Sequence, residues 1–136
     1  VLRYLPDPNK CVKEMARVLK TGGSCVTTAA PVLNSNGYWL INRAASSVRI
    51  GNLVQLKQYF TSSGRLRRTF QSAGFASTEI HGVYIGPINW IEHMAPRGLA
   101  AVLKKWEPCD RALADRPILR EFANMFVVRA GVSGKS

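Results

Sequence analysis

Apolar residues recur at helical spacing near the start of the chain. Four of them fall at positions i, i+3, i+4 and i+7 and so form one apolar face: Val12, Met15, Ala16 and Leu19. Asp7 is a residue type that caps helix amino ends, and Pro8 suits the first helical position. Gly22 or Gly23 can adopt the left-handed conformation that closes a helix. The pattern therefore predicts an amphipathic helix between Asp7 and the glycine pair.

A strand is predicted directly after this helix. Residues 24–30, SCVTTAA, are rich in β-branched residues and uncharged, which is typical of a strand inside a sheet that helices cover on both faces. The other predicted strands lie at 75–84 and 124–130, and the other predicted helices lie at 38–48, 61–73 and 99–113, with a short one near Pro117. Helices that alternate with strands in this way indicate an α/β fold.

Length and composition indicate one domain with a real core. The chain has 136 residues, of which 46% are hydrophobic, and no apolar run approaches the roughly 20 residues that span a bilayer. Its three cysteines are far apart and form no CxxC pair, which predicts neither a metal site nor a disulfide framework. The amino end lacks the pattern of a signal peptide, so we expect a cytoplasmic protein. Residues 132–136 are expected to form a flexible tail.

The net charge of +11 raises the question of a polyanionic partner. Such a charge attracts nucleic acid, anionic lipid surfaces or acidic substrates. The basic residues are dispersed along the sequence, however, and no aromatic–basic RNA-binding motif is present. A polyanion-binding surface and an ordinary solvated surface both remain open.

Several motifs resemble one enzyme family. LPDP at 5–8 and ARVLKTGG at 16–23 are similar to the turn after strand four and the helix before strand five of class I methyltransferases that use S-adenosyl-L-methionine (SAM). Thr21 stands where that family usually has proline, which only stiffens the turn. QSAGF at 71–75 resembles the helix end before strand six, and NMFVVRA at 124–130 resembles strand seven. The resemblance covers most of the chain.

The resemblance implies an architecture. Residues 1–131 would be the C-terminal part of a single Rossmann-like methyltransferase domain, with strands five, six and seven at one edge of its sheet and helices on its faces. Strand seven would lie antiparallel between strands five and six. Residues 86–121 would be a helical insertion that caps the acceptor site. The chain begins with Val and contains no GxG turn, so we expect the glycine-rich half that holds SAM to be missing.

The resemblance also suggests where ligands lie, because open α/β sheets bind them beyond the carboxyl ends of their strands. Leu2, Arg3 and Tyr4 would leave strand four beside the cofactor, although Arg3 could equally be a solvated loop charge. Five residues would face the acceptor: Pro31, Asn34, Tyr38, Trp39 and Tyr59. The aromatic members of this set can also be explained as packing on helices. No catalytic base and no metal ligand is predicted.

Three functions follow from these observations. The first is an enzyme that transfers a methyl group from SAM to a small-molecule or lipid-like acceptor. The second is a basic α/β module that binds nucleic acid or an anionic surface without catalysis. The third is that this chain alone is inactive and poorly soluble, because strand 24–30 would expose an unpaired edge.

Overall fold

The computed structural model describes residues 2–37, 59–86, 88–94, 97–114 and 116–134. The helix predicted at 38–48, with Tyr38 and Trp39, lies outside these residues. The strands are β1 Ser24–Pro31, β2 Phe60–Thr61, β3 Ser77–Ile85 and β4 Ala123–Gly131. The α-helices are α1 Pro8–Val18, α2 Ser63–Ser72, α3 Ile88–Met94 and α4 Leu99–Leu113, and short 3-10 helices occur at Leu2–Tyr4 and Leu119–Phe122.

The four strands form one sheet in the order β2-β1-β4-β3. Strand β4 is antiparallel to both of its neighbours, and its Val128 is opposite Thr27 on one side and Ile80 on the other. The implied arrangement, with the last strand reversed between the other two, is confirmed. Strand β2 was not predicted, and it pairs in parallel with only the last two residues of β1.

The hydrophobic core lies between one face of the sheet and helices α1 and α2. The apolar stripes of both helices face it, with Val12, Leu66 and Phe70 fully or almost fully buried. Phe126, Val128 and other alternate residues of the strands cover the sheet side of this core. The rings of Phe70 and Phe75 pack at 5.1 Å between centroids. None of the described helices is long and apolar enough to cross a membrane.

Burial of β1 differs from the prediction. We expected residues 24–30 to be buried on both faces, but Ser24 is exposed and Val26 has 67% of its surface accessible. Only the carboxyl end, Ala29–Pro31, is buried throughout. The reason is that, among the described residues, β2 pairs with this end alone, whereas the rest of β1 is paired on one edge only, with β4.

The predicted start of α1 and both predicted ends of α2 are confirmed. The Asp7 carboxylate accepts the Lys10 amide at 3.0 Å, and Ser62 Oγ accepts the Arg65 amide at 3.4 Å. Gly74, directly after the C-cap of α2, has a φ of 98°, which an L side chain disfavours.

The prediction that Gly22 or Gly23 closes α1 is wrong. The helix ends at Val18, because Leu19 already leaves the helical conformation with φ −73° and ψ 137°. Gly22, with a φ of 76°, lies in the turn between α1 and β1.

A close contact fixes the end of α4 against β3. The Gly82 amide donates to the Ala114 carbonyl at 3.3 Å, and a Cβ on Gly82 would lie 2.7 Å from that oxygen and 3.0 Å from the Cβ of Ala123. Only glycine allows α4 and β4 to approach β3 this closely at that point.

We predict that Gly82→Ala lowers the free energy of unfolding by about 1–3 kcal/mol because the new methyl group has no space. The matched control is Gly64→Ala in α2, where an added Cβ meets nothing within 4 Å. That variant should be stabilised by up to about 1 kcal/mol, since alanine is the better helix former. Urea unfolding measures the free energy of unfolding of both variants. Equal values for the two would contradict the close contact at Gly82.

Candidate functional site

The carboxyl end of β1 is where three segments converge. The Tyr59 amide donates to the Arg3 carbonyl at 2.8 Å, which ties the segment before β2 to the Leu2–Tyr4 turn. Pro31 is opposite Thr61 in the sheet, and the Val32 amide donates to the Thr61 carbonyl at 3.1 Å. In open α/β sheets this edge is the usual position of a ligand site. We call it the carboxyl edge.

The three residues expected beside a cofactor differ in accessibility. Leu2 is fully buried and belongs to the hydrophobic core, so it supports the turn from beneath. Arg3 is half-buried, and its guanidinium carbon lies 5.0 Å from the centre of the Tyr4 ring, a cation–π distance. Tyr4 is 58% exposed. Arg3 and Tyr4 are therefore the members of this group with surface available to a ligand.

The described residues expected to face an acceptor lie around the same edge. Pro31 is fully buried at the end of β1, and Asn34 is buried in a turn closed by a 3.0 Å bond from the Gly37 amide to the Asn34 carbonyl. Tyr59 is half-buried, with the Arg65 guanidinium 6.0 Å from its ring centre. The structure thus places Tyr59 in backbone contact with Arg3. Pro31 and Asn34 lie close together in sequence at the carboxyl edge.

An asparagine pair, which sequence reasoning missed, joins the loops of this edge. Asn36 Nδ2 donates to Asn124 Oδ1 at 2.6 Å, and Asn124 Nδ2 donates to the Gly86 carbonyl at 2.8 Å. Asn36 is only 3% exposed, so this pairing satisfies a polar group that burial would otherwise leave without water. The bonds connect the loop after β1, the start of β4 and the end of β3. The two asparagines are 88 residues apart, and nothing in the local sequence marks them as partners.

Charged side chains make a second connection at the same edge. Both Glu121 carboxylate oxygens lie within 3.3 Å of the Ser63 amide, at the first turn of α2, where a negative charge complements the helix dipole. Arg120 donates to the Ile80 carbonyl at 2.9 Å and to Ser63 Oγ at 3.4 Å. These two neighbours therefore anchor the Leu119–Phe122 turn to α2 and β3.

Acidic and glycine residues around β1 have the following positions. Both Glu121 carboxylate oxygens are engaged with the Ser63 amide. Gly22 and Gly23 precede β1 and lie at the opposite end of this strand from the carboxyl edge.

Cys25 lies near the amino end of β1, at the opposite end of the strand from the carboxyl edge. Burial raises the pKa of the Cys25 thiol, while backbone hydrogen bonding acts in the opposite sense. A thiol with a raised pKa carries less of the nucleophilic thiolate, and Cys25 packs against the core. In the part of the chain that the structure describes, His, Cys, Asp and Glu residues form no group of three or more that could hold a metal.

Comparison with solved structures places this architecture among known folds. A SAM-dependent methyltransferase from Thermotoga maritima, described as a possible histamine N-methyltransferase, matches with a TM-score of 0.55 and 17% identity over 96% of this chain. Phosphoethanolamine N-methyltransferase 2 from Haemonchus contortus matches with a TM-score of 0.51 and 14% identity; one structure holds phosphomonomethylethanolamine with S-adenosylhomocysteine, and another holds SAM. No family model and no curated protein matches significantly.

These matches show a shared fold. The chain spans 51% of the Thermotoga protein and 32% of the Haemonchus protein. The expected architecture, part of a class I SAM-dependent methyltransferase fold, is therefore confirmed.

We predict that Asn36→Ala and Asn124→Ala each lower the free energy of unfolding by about 1–3 kcal/mol, because each removes the partly buried hydrogen bond between the two side chains. The double variant should lose less than the sum, with a coupling of at least about 0.5 kcal/mol. Gln71→Ala, which removes an exposed side-chain amide from α2, is the control and should stay within about 0.5 kcal/mol of the parent. If the losses in unfolding free energy of the two single variants simply add in the double variant, as measured by urea unfolding, the two asparagines do not stabilise the fold through a mutual contact.

Proposed function

We propose that this chain, which has part of the class I methyltransferase fold, is the acceptor-side part of a SAM-dependent methyltransferase. The intact protein would transfer a methyl group to a small-molecule or lipid-like acceptor. The observation that carries the proposal is the reversed strand β4 between β1 and β3, in a sheet that matches two methyltransferases with TM-scores above 0.5. The chain spans 51% of the Thermotoga protein and 32% of the Haemonchus protein, which supports assigning only part of a methyltransferase to these residues.

In this proposal residues 1–131 are the C-terminal part of one domain, 86–121 form a helical cap, and 132–136 are a tail. Tyr4 and Arg3 would border the cofactor, and Leu2 would hold their turn in place. Pro31, Asn34 and Tyr59 would border the acceptor, together with Tyr38 and Trp39 from outside the described residues. Methyl transfer can depend mainly on proximity and orientation of the reactants, so the proposal requires no dedicated base.

The proposal predicts that the 136-residue chain alone binds no SAM in calorimetry, whereas the protein encoded by the reading frame extended upstream of Val1 binds it. With radiolabelled SAM the extended protein should methylate an acceptor in a panel that includes histamine and phosphomonomethylethanolamine. Tight SAM binding by the chain alone would contradict the assignment of the cofactor site.

Two alanine variants of the extended protein, with one phenylalanine control, separate the predicted roles. Tyr59→Ala should raise the KM for the acceptor, and Tyr4→Ala should raise the KM for SAM, because the two rings would border different ligands. Tyr4→Phe should leave the KM for SAM close to the parent value, since the ring rather than the hydroxyl group makes the contact with Arg3. Equal effects of Tyr59→Ala on both KM values would argue against this division.

The fold gives specific support to the alternative of a polyanion-binding module. Helices α1 and α2 are neighbours, and Thr69 Oγ1 donates to Asn9 Oδ1 at 3.4 Å between them. Seven exposed basic residues lie on these two neighbouring helices or just after α1, although they are dispersed in the sequence: Lys10, Lys13, Arg17, Lys20, Arg65, Arg67 and Arg68. Glu14 is the one acidic residue within either helix, and it pairs with Arg17 at 2.7 Å. We call this surface the basic face.

If the basic face binds RNA, affinity for a single-stranded oligonucleotide should fall steeply with salt. Replacing Arg65 and Arg68 by alanine should reduce the slope of log K against log salt by about 1.4, because two phosphate contacts are lost. The control replaces Lys104 and Lys105 of α4, two exposed basic residues outside the basic face. Equal losses in the two double variants, or binding that ignores salt, would exclude a specific role for this face.

A further inference from the structure

Helix α4 does not bury its apolar stripe as its sequence pattern suggests. Leu99, Val102, Leu103 and Trp106 fall at i, i+3, i+4 and i+7, a spacing typical of a helix packed on a core. In the structure no residue of α4 is fully buried, and Val102 and Trp106 remain 43% and 39% exposed. An apolar stripe that is incompletely covered by its own protein is a candidate contact surface for a ligand.

The stripe forms a wall of two adjoining cavities beside β3. The first has a volume of about 290 Å³ and is lined by Ile85, Gly86, Ile91 of α3 and the whole stripe. It contains no charged side chain in its lining. The second, of about 450 Å³, lies between α4 and residues 81–84 of β3 and includes charged groups. Leu103 and Trp106 line both cavities, so the apolar and polar spaces adjoin.

Four charged side chains line the second cavity, and their formal charges sum to zero, but they differ in their partners: Lys104, Glu107, Asp110 and Arg111. The Asp110 carboxylate accepts the Tyr84 amide at 2.9 Å and the Ile85 amide at 2.6 Å. Glu107 pairs with Arg111 at 3.1 Å. Both acids of the lining therefore have backbone or cationic partners, whereas Lys104 has no carboxylate partner among the described residues.

Directional bonds hold the cavity walls apart at a defined spacing. Trp106 Nε1 donates to the Ile85 carbonyl at 2.8 Å, and the Asp110 carboxylate binds two successive amides on the free edge of β3. These bonds accompany an unusual backbone, since Tyr84 has a φ of 60°, which non-glycine residues rarely adopt. Helix α4 is thus fixed to β3 by the hydrogen bonds of Trp106 and Asp110, and the space beside these bonds forms the two cavities.

We infer that this pair of cavities binds a small anionic amphiphile, such as a medium-chain carboxylate. Its hydrocarbon chain occupies the apolar cavity, and its carboxylate lies in the second cavity beside Lys104. Binding sites of this size commonly combine apolar walls with a few polar groups that orient the ligand. Among the described residues, the lining of these cavities includes none of those assigned above to the cofactor or the acceptor: the Leu2–Tyr4 turn, Pro31, Asn34 and Tyr59. Binding measured without SAM therefore gives a result that can be distinguished from that of the methyl-transfer proposal.

Calorimetry of the full chain with decanoate, kept below its critical micelle concentration and without SAM, tests the inference. We expect saturable one-to-one binding and a change in tryptophan fluorescence that is absent in Trp106→Phe. Decyltrimethylammonium, with the same chain and the opposite charge, should bind more weakly. No saturable decanoate binding, or equal binding of the two amphiphiles, would overturn the proposal, as would a dimer that covers α4 and excludes decanoate.

A matched pair of lysine variants locates the head group. Lys104→Glu should weaken decanoate binding about three- to tenfold, because it reverses the charge beside the carboxylate. Lys105→Glu makes the same change one residue along the helix, outside the lining of either cavity, and should alter affinity less than about twofold. Equal effects of the two substitutions would overturn the placement.

A third variant locates the hydrocarbon chain. Leu103→Trp fills the junction of the two cavities and should abolish binding while circular dichroism remains that of the parent. Parent-like affinity in folded Leu103→Trp would refute the site. If that variant fails to fold, Val102→Trp fills the apolar cavity alone and replaces it in the same comparison.

Discussion

The pairing of β4 with both β1 and β3 is the constraint on which the rest of the structure depends. Its register places Phe126, Val128 and Ala130 on the face covered by α1 and α2. A shift of one residue would move these side chains to the opposite face, where Arg129 is exposed. Because β4 comes last in the chain and lies between two earlier strands, the core closes only when it has been inserted.

That insertion also builds the carboxyl edge. The start of β4 brings Asn124 to Asn36 and Gly86, and the turn before it brings Glu121 and Arg120 to the first residue of α2. A ligand at this edge would therefore meet loops whose backbone is held by buried polar contacts. Such contacts preorganise a site, because less conformational freedom remains to be lost on binding.

The two ends of the sheet have different character. At one end, β2 pairs with only the last two residues of β1, and this is the edge at which the resemblance implies further strands. At the other end, the Asp110 carboxylate and the Trp106 indole form hydrogen bonds with backbone groups on the outer edge of β3. A covered strand edge resists pairing with other chains. The same covering leaves the cavities beneath α4.

The sequence by itself determined the elements whose signals are local. Asp7, Pro8 and the stripe through Val12 specify α1, Ser62 and Gly74 delimit α2, and the strand order followed from family motifs. Arg3, Tyr4 and Tyr59 were also found at the expected edge, although their ligand roles remain proposals.

Tertiary structure alone decided which polar and apolar groups meet. Asn36 and Asn124 are separated by 88 residues, and the basic residues of α1 and α2 by about 50, so neither grouping has a local signal. The stripe of α4 shows the converse, because periodicity reports which residues share a face but not whether another element covers that face. Coverage depends on how the chain closes in space, and that depends on contacts between segments far apart in the sequence.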